Sequence, residues 1–217
     1  RVTVRTLALA LCLAGLTAVA DRKPSAPLPA EPAAVSTSQI GVSSPPMGWA
    51  SWNSFASSID SGVIKQQTDA LVSSGMATGY KYVNLDDGWW QGDRNADGTI
   101  AVDATLWPDG MKAVADYIHS KGLKAGIYTD AGKNGCGYYY PTTRAAAPNT
   151  GMEGHYQQDL ETFQKWGFDY VKIDWCGGRV EGLDQETQYK QIAAANEAAT
   201  AVTGHKLVLS FCEWGSG

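Results

Sequence analysis

Five short runs of apolar and β-branched residues recur along this chain, at Met47–Trp52, Tyr82–Leu85, Lys124–Tyr128, Asp169–Ile173 and Leu207–Phe211. Between them lie longer stretches of helical pattern, at roughly Ser61–Ala77, Asp109–Lys121, Gly154–Trp166 and Asp184–Thr203. Strands alternating with helices predict an α/β fold, a parallel sheet with helical crossovers. Two arrangements fit: a doubly wound sheet and a (β/α)8 barrel. No Gly-x-Gly-x-x-Gly follows the first strand, so a nucleotide-binding open sheet lacks support. A barrel keeps its chemistry at the C-terminal ends of several strands, and carboxylates and aromatics concentrate there in this chain.

The first residues follow a different pattern. Arg1 and Arg5 flank the start of an apolar stretch from Leu7 to Ala14, and Ala18-Val19-Ala20 is a small-x-small cleavage site. Residues 1–20 therefore read as a secretory signal peptide, too short for a permanent membrane span. Residues 21–44 are rich in Pro, Ala and Ser without apolar periodicity, and read as a flexible linker. No initiator Met is present, which suggests a fragment at its start. The expectation is a secreted protein that leaves the membrane after signal cleavage. Residues 45–217, about 170 in all, suffice for one core.

The segment Phe168-Asp169-Tyr170-Val171-Lys172-Ile173-Asp174-Trp175-Cys176-Gly177-Gly178 carries the sharpest chemistry. Side chains alternate faces along a strand, so Val171 and Ile173 share one face and Lys172 and Asp174 the other. An ammonium beside Asp174 favours its ionised form, and a desolvated carboxylate is a nucleophile. The other strand ends add Trp49 and Trp52, then Asp86, Asp87, Trp89 and Trp90, then Tyr128 and Asp130, and finally Cys212, Glu213 and Trp214. Adjacent carboxylates repel unless a ligand supplies hydroxyl donors. A polyhydroxylated ligand does so, and Trp and Tyr stack on its C–H faces.

Other features narrow the class. The net charge is −5 and basic runs are absent, which argues against nucleic acid or anionic membranes as partners. Asp93-Arg94-Asn95-Ala96-Asp97-Gly98 begins like a calcium loop, but its twelfth position is Ala104 rather than Glu. A tight turn at Asp97-Gly98 within a strand–turn–strand excursion is the better reading. No Cys-x-x-Cys or His cluster supports a zinc site. Export permits disulfides, and Cys136, Cys176 and Cys212 remain after the signal peptide. One thiol is therefore free or pairs beyond Gly217.

Five blocks in register carry a resemblance. They are Pro45-Pro46-Met47-Gly48-Trp49 with Ser51-Trp52-Asn53, Tyr82-Val83-Asn84-Leu85-Asp86-Asp87-Gly88-Trp89, Gly126-Ile127-Tyr128-Thr129-Asp130-Ala131-Gly132, Lys172-Ile173-Asp174 and Cys212-Glu213-Trp214-Gly215. Together they resemble the α-galactosidase (melibiase) family, glycoside hydrolase family 27, from about Pro45 to Gly217. The resemblance implies a (β/α)8 barrel followed by a small β-sandwich, and retaining hydrolysis of terminal α-D-galactosides without a cofactor. It implies Asp174 as nucleophile, Lys172 contacting sugar and nucleophile, and Asp86 and Asp87 binding the 4- and 6-hydroxyls. It further implies Trp52 as a pocket wall, Tyr128 orienting the nucleophile and Glu213 on the 2-hydroxyl side. Cys136 and Cys176 match a disulfide tying two loops of the site, and Cys212 a cysteine whose partner lies further on.

Departures from the family pattern also read directly. Ser57 and Gly88 stand where many eukaryotic members carry a disulfide, and Trp175, with Trp90, is expected to shape the pocket rim. The chain ends after about five β/α units, before the loop that carries the family's acid/base. The 217 residues alone are therefore expected to be inactive and prone to aggregate. A lectin-like binding module keeping Asp86, Asp87 and Trp52 remains the reading from another class. Within the enzyme class, β-L-arabinopyranosidase, α-N-acetylgalactosaminidase and isomalto-dextran-cleaving specificities stay open. Glu213 would clash with a 2-acetamido group.

Overall fold

The computed structural model describes residues 44–214, the side chains of residues 91 and 92 excepted. The expected signal peptide, 1–20, and all but the last residue of the expected linker, 21–44, lie outside the described residues. In chain order the elements are β1 (Gly48–Ala50), α1 (Trp52–Phe55), α2 (Ser61–Ser73), β2 (Tyr82–Asn84), β3 (Trp90–Arg94), β4 (Ile100–Val102) and α3 (Gly110–Ser120). There follow β5 (Lys124–Asp130), α4 (Cys136–Tyr139), α5 (Tyr156–Lys165), β6 (Tyr170–Asp174), α6 (Cys176–Val180), α7 (Gln185–Thr203) and β7 (Val208–Phe211). Among the described residues no helix is long and apolar enough to cross a membrane.

Five strands form one parallel sheet in the order β1-β2-β5-β6-β7. Each parallel strand pairs with the one before it, with no reversal of order of the kind a doubly wound sheet contains. The sheet is open among the described residues, with β1 and β7 at its edges. The five strand runs read from the pattern are all present, within a residue or two at most ends. The excursion after β2 is also found: β3 and β4 pair antiparallel across a turn in which Gly98 has φ +86° and Asp97 Oδ1 accepts from Thr99 N at 3.0 Å.

Helices cover the sheet with the faces their periodicity sets. On α3 the buried residues are Met111, Val114, Ala115 and Ile118, the i, i+3, i+4, i+7 stripe of an amphipathic helix. They pack in one core with Val83, Ala125, Ile127, Val171 and Ile173. Asp60 and Asp184 begin α2 and α7 by accepting from Val63 N at 2.7 Å and Thr187 N at 2.9 Å, which satisfies N–H groups that the helix leaves unpaired. The expected helix Ser61–Ala77 stops at Ser73 because Gly75 turns left-handed at φ +77°. Three one-turn helices, α1, α4 and α6, were not legible in the pattern. Each follows a parallel strand and shapes the C-terminal end of the sheet.

One buried ion pair fastens the hairpin to the helical layer. Arg94 on β3 grips Asp159 on α5 with two bonds of 2.8 Å, and also donates to Gly98 O and Gly151 O. Burial pushes the Asp159 carboxyl up, against the pull of the guanidinium. Removing one partner of such a pair strands the other in a dry site. Arg94→Leu is expected to destabilise the fold by about 3–5 kcal/mol in urea unfolding; a loss below about 1 kcal/mol would mean that the pair behaves like an exposed one.

Candidate active site

The C-terminal ends of the parallel strands enclose a cavity of about 540 Å3. Its floor is built from Trp52, Asp86, Asp87, Tyr128, Lys172 and Asp174, six of the seven residues the family resemblance assigned to the sugar and its cleavage. Lys172 and Asp174 share the inward face of β6, as strand parity requires. In the sheet register Tyr128 lies beside Lys172 and Asp130 beside Asp174. Lys172 Nζ donates to Asp86 Oδ2 at 2.9 Å and stands 3.6 Å from Asp174 Oδ2. It also lies over the Tyr128 ring, 5.0 Å from the centroid, a cation–π contact. Burial disfavours the Lys172 charge, but Asp86 and Asp174 outweigh it and raise its pKa.

Asp87 has no cation so close. Burial, and then the charge of Asp86, push its pKa up to about 7. Its Oδ2 is buried without a protein hydrogen-bond partner among the described residues, and the same holds for the Tyr128 hydroxyl. Burial and then the Asp174 charge raise the Tyr128 pKa well above the ordinary phenol value, so it stays a neutral O–H. The backbone here is held from behind. Trp89 Nε1 donates to Tyr128 O at 2.9 Å, and Trp90 packs against the Tyr128 ring at 5.5 Å. Both indoles are buried, so Trp90 backs the wall rather than forming the rim. Trp175 is buried too, edge-on to Tyr189.

A second buried carboxylate organises the loops. Asp130 accepts from Gly132 N at 2.8 Å, Cys176 N at 2.8 Å and Gly177 N at 3.0 Å. Burial pushes its pKa well up, against the pull of these three bonds. It thereby pins the start of α6 to the end of β5. Beside it Cys136 and Cys176 form the disulfide that the resemblance implied, Cα–Cα 5.0 Å, and both line the cavity. Cys212, in the cavity wall, has no disulfide partner among the described residues. The two positions expected to lack a bridge are neighbours: a Cβ on Gly88 would lie 2.6 Å from Ser57 O. The Ser57 hydroxyl instead bonds the loop at Thr142, Thr143 and Arg144.

Glu213 is the one expected sugar contact that is not brought to the cavity. β7 ends at Phe211 and Trp214 turns left-handed at φ +49°. Cys212 and Trp214 then line the cavity, while Glu213 faces a shallow depression beside α7 with Gln185 and Tyr189. Two lining residues escaped the sequence reading, Tyr140 and Arg179. The run Tyr138-Tyr139-Tyr140 just past Cys136 was the available signal.

Comparison with known proteins gives a consistent picture. The family described as alpha galactosidase A matches residues 44–216. Alpha-galactosidase A of Cellvibrio japonicus is 44% identical over 172 residues, which are 79% of this chain and 38% of that one. The crystal structure of alpha-galactosidase I from Mortierella vinacea superposes with a TM-score of 0.66 at 34% identity, covering 78% of this chain and 40% of that chain. An alpha-galactosidase from Saccharomyces cerevisiae, solved with raffinose, does so with 0.65 at 30%, covering 78% and 35%. The chain thus spans about two fifths of the length of such relatives.

The state of Asp87 has a measurable consequence. Its folded pKa of about 7 exceeds the ordinary 3.8, so between those values the fold holds a proton that the unfolded chain releases. Its contribution to stability is full below about pH 4 and is lost as pH rises through about 7. Relative to Asp87→Asn, the wild-type melting temperature is expected to fall across this window and level off above it. Parallel profiles for the two proteins would remove the proton from Asp87.

Proposed function

This chain belongs to the alpha galactosidase A family, and from that premise we propose that it carries the nucleophile side of a retaining α-galactosidase. The observation that carries the reading is the Lys172 bridge between Asp86 and Asp174. It joins a hydroxyl-binding carboxylate to a nucleophile across one ammonium. Binding alone would need only the first, so the pair favours the enzyme over a lectin-like module. In this reading the five parallel strands are the first five units of a (β/α)8 barrel, and strand-end placement of the site follows.

The chemistry is double displacement. Asp86 and Asp87 accept hydrogen bonds from hydroxyls of the terminal galactosyl unit and fix the ring over Asp174. Asp174 attacks the anomeric carbon while an acid protonates the departing glycosidic oxygen. That acid then acts as base, activating the water that releases galactose and frees Asp174. Lys172 sets its positive charge 3.6 Å from Asp174 Oδ2, and the unpartnered Tyr128 hydroxyl lines the same cavity. The second carboxyl must stand about 5–5.5 Å from the nucleophile. Asp86 is bound to Lys172, Asp130 to three backbone N–H groups, and Asp87 is packed against Gly137. The family resemblance puts the acid/base on a loop that follows the described residues, and the reading takes it from there. It also places the protein outside the cell after removal of a leader over residues 1–20, where a disulfide such as Cys136–Cys176 persists.

The position of Glu213 favours one second reading. With Glu213 off the cavity, its clash with a 2-acetamido group no longer weighs against α-N-acetylgalactosaminides, which stay among the candidate substrates. The test uses the product of the complete gene and compares kcat/KM on aryl α-D-galactoside, β-L-arabinopyranoside, α-N-acetylgalactosaminide and α-glucoside. Preference for the α-galactoside is the expected result; preference for another sugar keeps the mechanism and changes the specificity. Asp174→Asn is expected to lower kcat more than roughly 1,000-fold while galactose binding, read by calorimetry, persists. Substantial turnover in that variant would rule out Asp174 as nucleophile.

A further inference from the structure

The cavity has a floor and a mouth of different character. At the floor Asp86 and Asp174 are only 4% and 5% exposed, whereas Tyr140 at the mouth is 57% exposed. This gradient gives the site a direction. A terminal sugar that enters through the mouth puts its hydroxyls on the buried carboxylates, and whatever hangs from its anomeric oxygen lies back along the rim.

The rim is built as one piece. The disulfide joins α4 and α6 at their first residues, Cys136 and Cys176. About one turn further along, each strand of this joint offers a cavity-lining side chain, Tyr140 on one and Arg179 on the other. Tyr140 N donates to Cys136 O at 2.7 Å, and Pro141 follows at once. The Tyr139 hydroxyl is anchored to Glu181 Oε1 at 2.8 Å, so the turn that presents Tyr140 is tied at both sides. The Arg179 guanidinium lies 5.9 Å from the centroid of the Trp214 ring, itself 48% exposed. A large ring more than half exposed contributes little to the core. Held on a rigid turn, it offers a flat face at small ordering cost. Such a face suits the C–H side of a pyranose, and a guanidinium offers five donors to hydroxyls.

We propose that Tyr140 and Arg179 form the subsite for the sugar on the leaving side of the cleaved bond. The proposal rests on the α-galactosidase reading above and deepens it.

The experiment uses the complete gene product and two probes, α-galactosyl fluoride, whose leaving group reaches no rim, and an α-1,6-linked galactosyl-glucose disaccharide. Tyr140→Ala is expected to lower kcat/KM for the disaccharide roughly five- to tenfold, the scale of one stacking contact. The fluoride should stay within about twofold, since the floor is untouched. Tyr140→Phe should restore the disaccharide rate, and Arg179→Ala should shift the same ratio in the same direction. Equal losses on both probes would mean that Tyr140 only supports the fold, and no loss on the disaccharide would place the leaving sugar elsewhere. Either result overturns the subsite while leaving the α-galactosidase reading intact. A wild-type protein that cleaves neither probe would overturn that reading and the subsite with it.

Discussion

The register between β5 and β6 is the constraint from which the site follows. It sets Lys172 beside Tyr128 and Asp174 beside Asp130, all on the inward face. A slip of one residue would turn Lys172 and Asp174 outward into the helical layer and bring Val171 and Ile173 in. The burial of Val171 and Ile173 in the core makes that slip costly. Ordinary apolar packing on one face of β6 therefore fixes the position of the ammonium on the other. That ammonium offsets the carboxylates gathered at the floor, which without it would repel one another in a dry site.

Asp130 extends the same order to the loops. Its three backbone bonds place the start of α6 against the end of β5, and the disulfide repeats the connection a few ångströms away. The cavity wall is thus a polar clamp and a covalent one side by side. Where relatives are expected to carry another bridge, Ser57 and Gly88 meet backbone to side-chain position, and the Ser57 hydroxyl ties down the 142–144 loop. Hydrogen bonds replace a covalent tie there, made possible by a glycine at φ +113°.

What could be read from the chain divides along physical lines. Strand parity is a period of two and needs no tertiary knowledge, so Lys172, Asp174 and their opposite faces were legible. Strand order was legible only as an alternation; the sequential pairing required the structure. Helix ends followed local backbone needs, as Gly75 shows by stopping α2 early. The placement of Glu213 was not legible because parity extends only as far as the strand, and the chain turns after Phe211. Trp90 and Trp175 failed because the exposure of an indole depends on what packs over it, here Trp89 and Tyr128 in one case and Tyr189 in the other. Tyr140 follows a one-turn helix with no periodicity; the tyrosine run past Cys136 hints at it, and its neighbours in space single it out.

The sequential strand order also bears on how the chain is made. Each parallel strand can dock on an edge already finished, so the sheet can grow during synthesis without waiting for distant partners. Charge does not keep pace. Asp86 and Asp87 emerge with β2, yet Lys172 follows Asp86 by 86 residues. At typical elongation rates of about 5–20 residues per second, that interval is roughly 4–17 s. Throughout it Asp86 lacks its cation and is cheaper to leave in water, until the fourth parallel strand brings the ammonium that accompanies its burial.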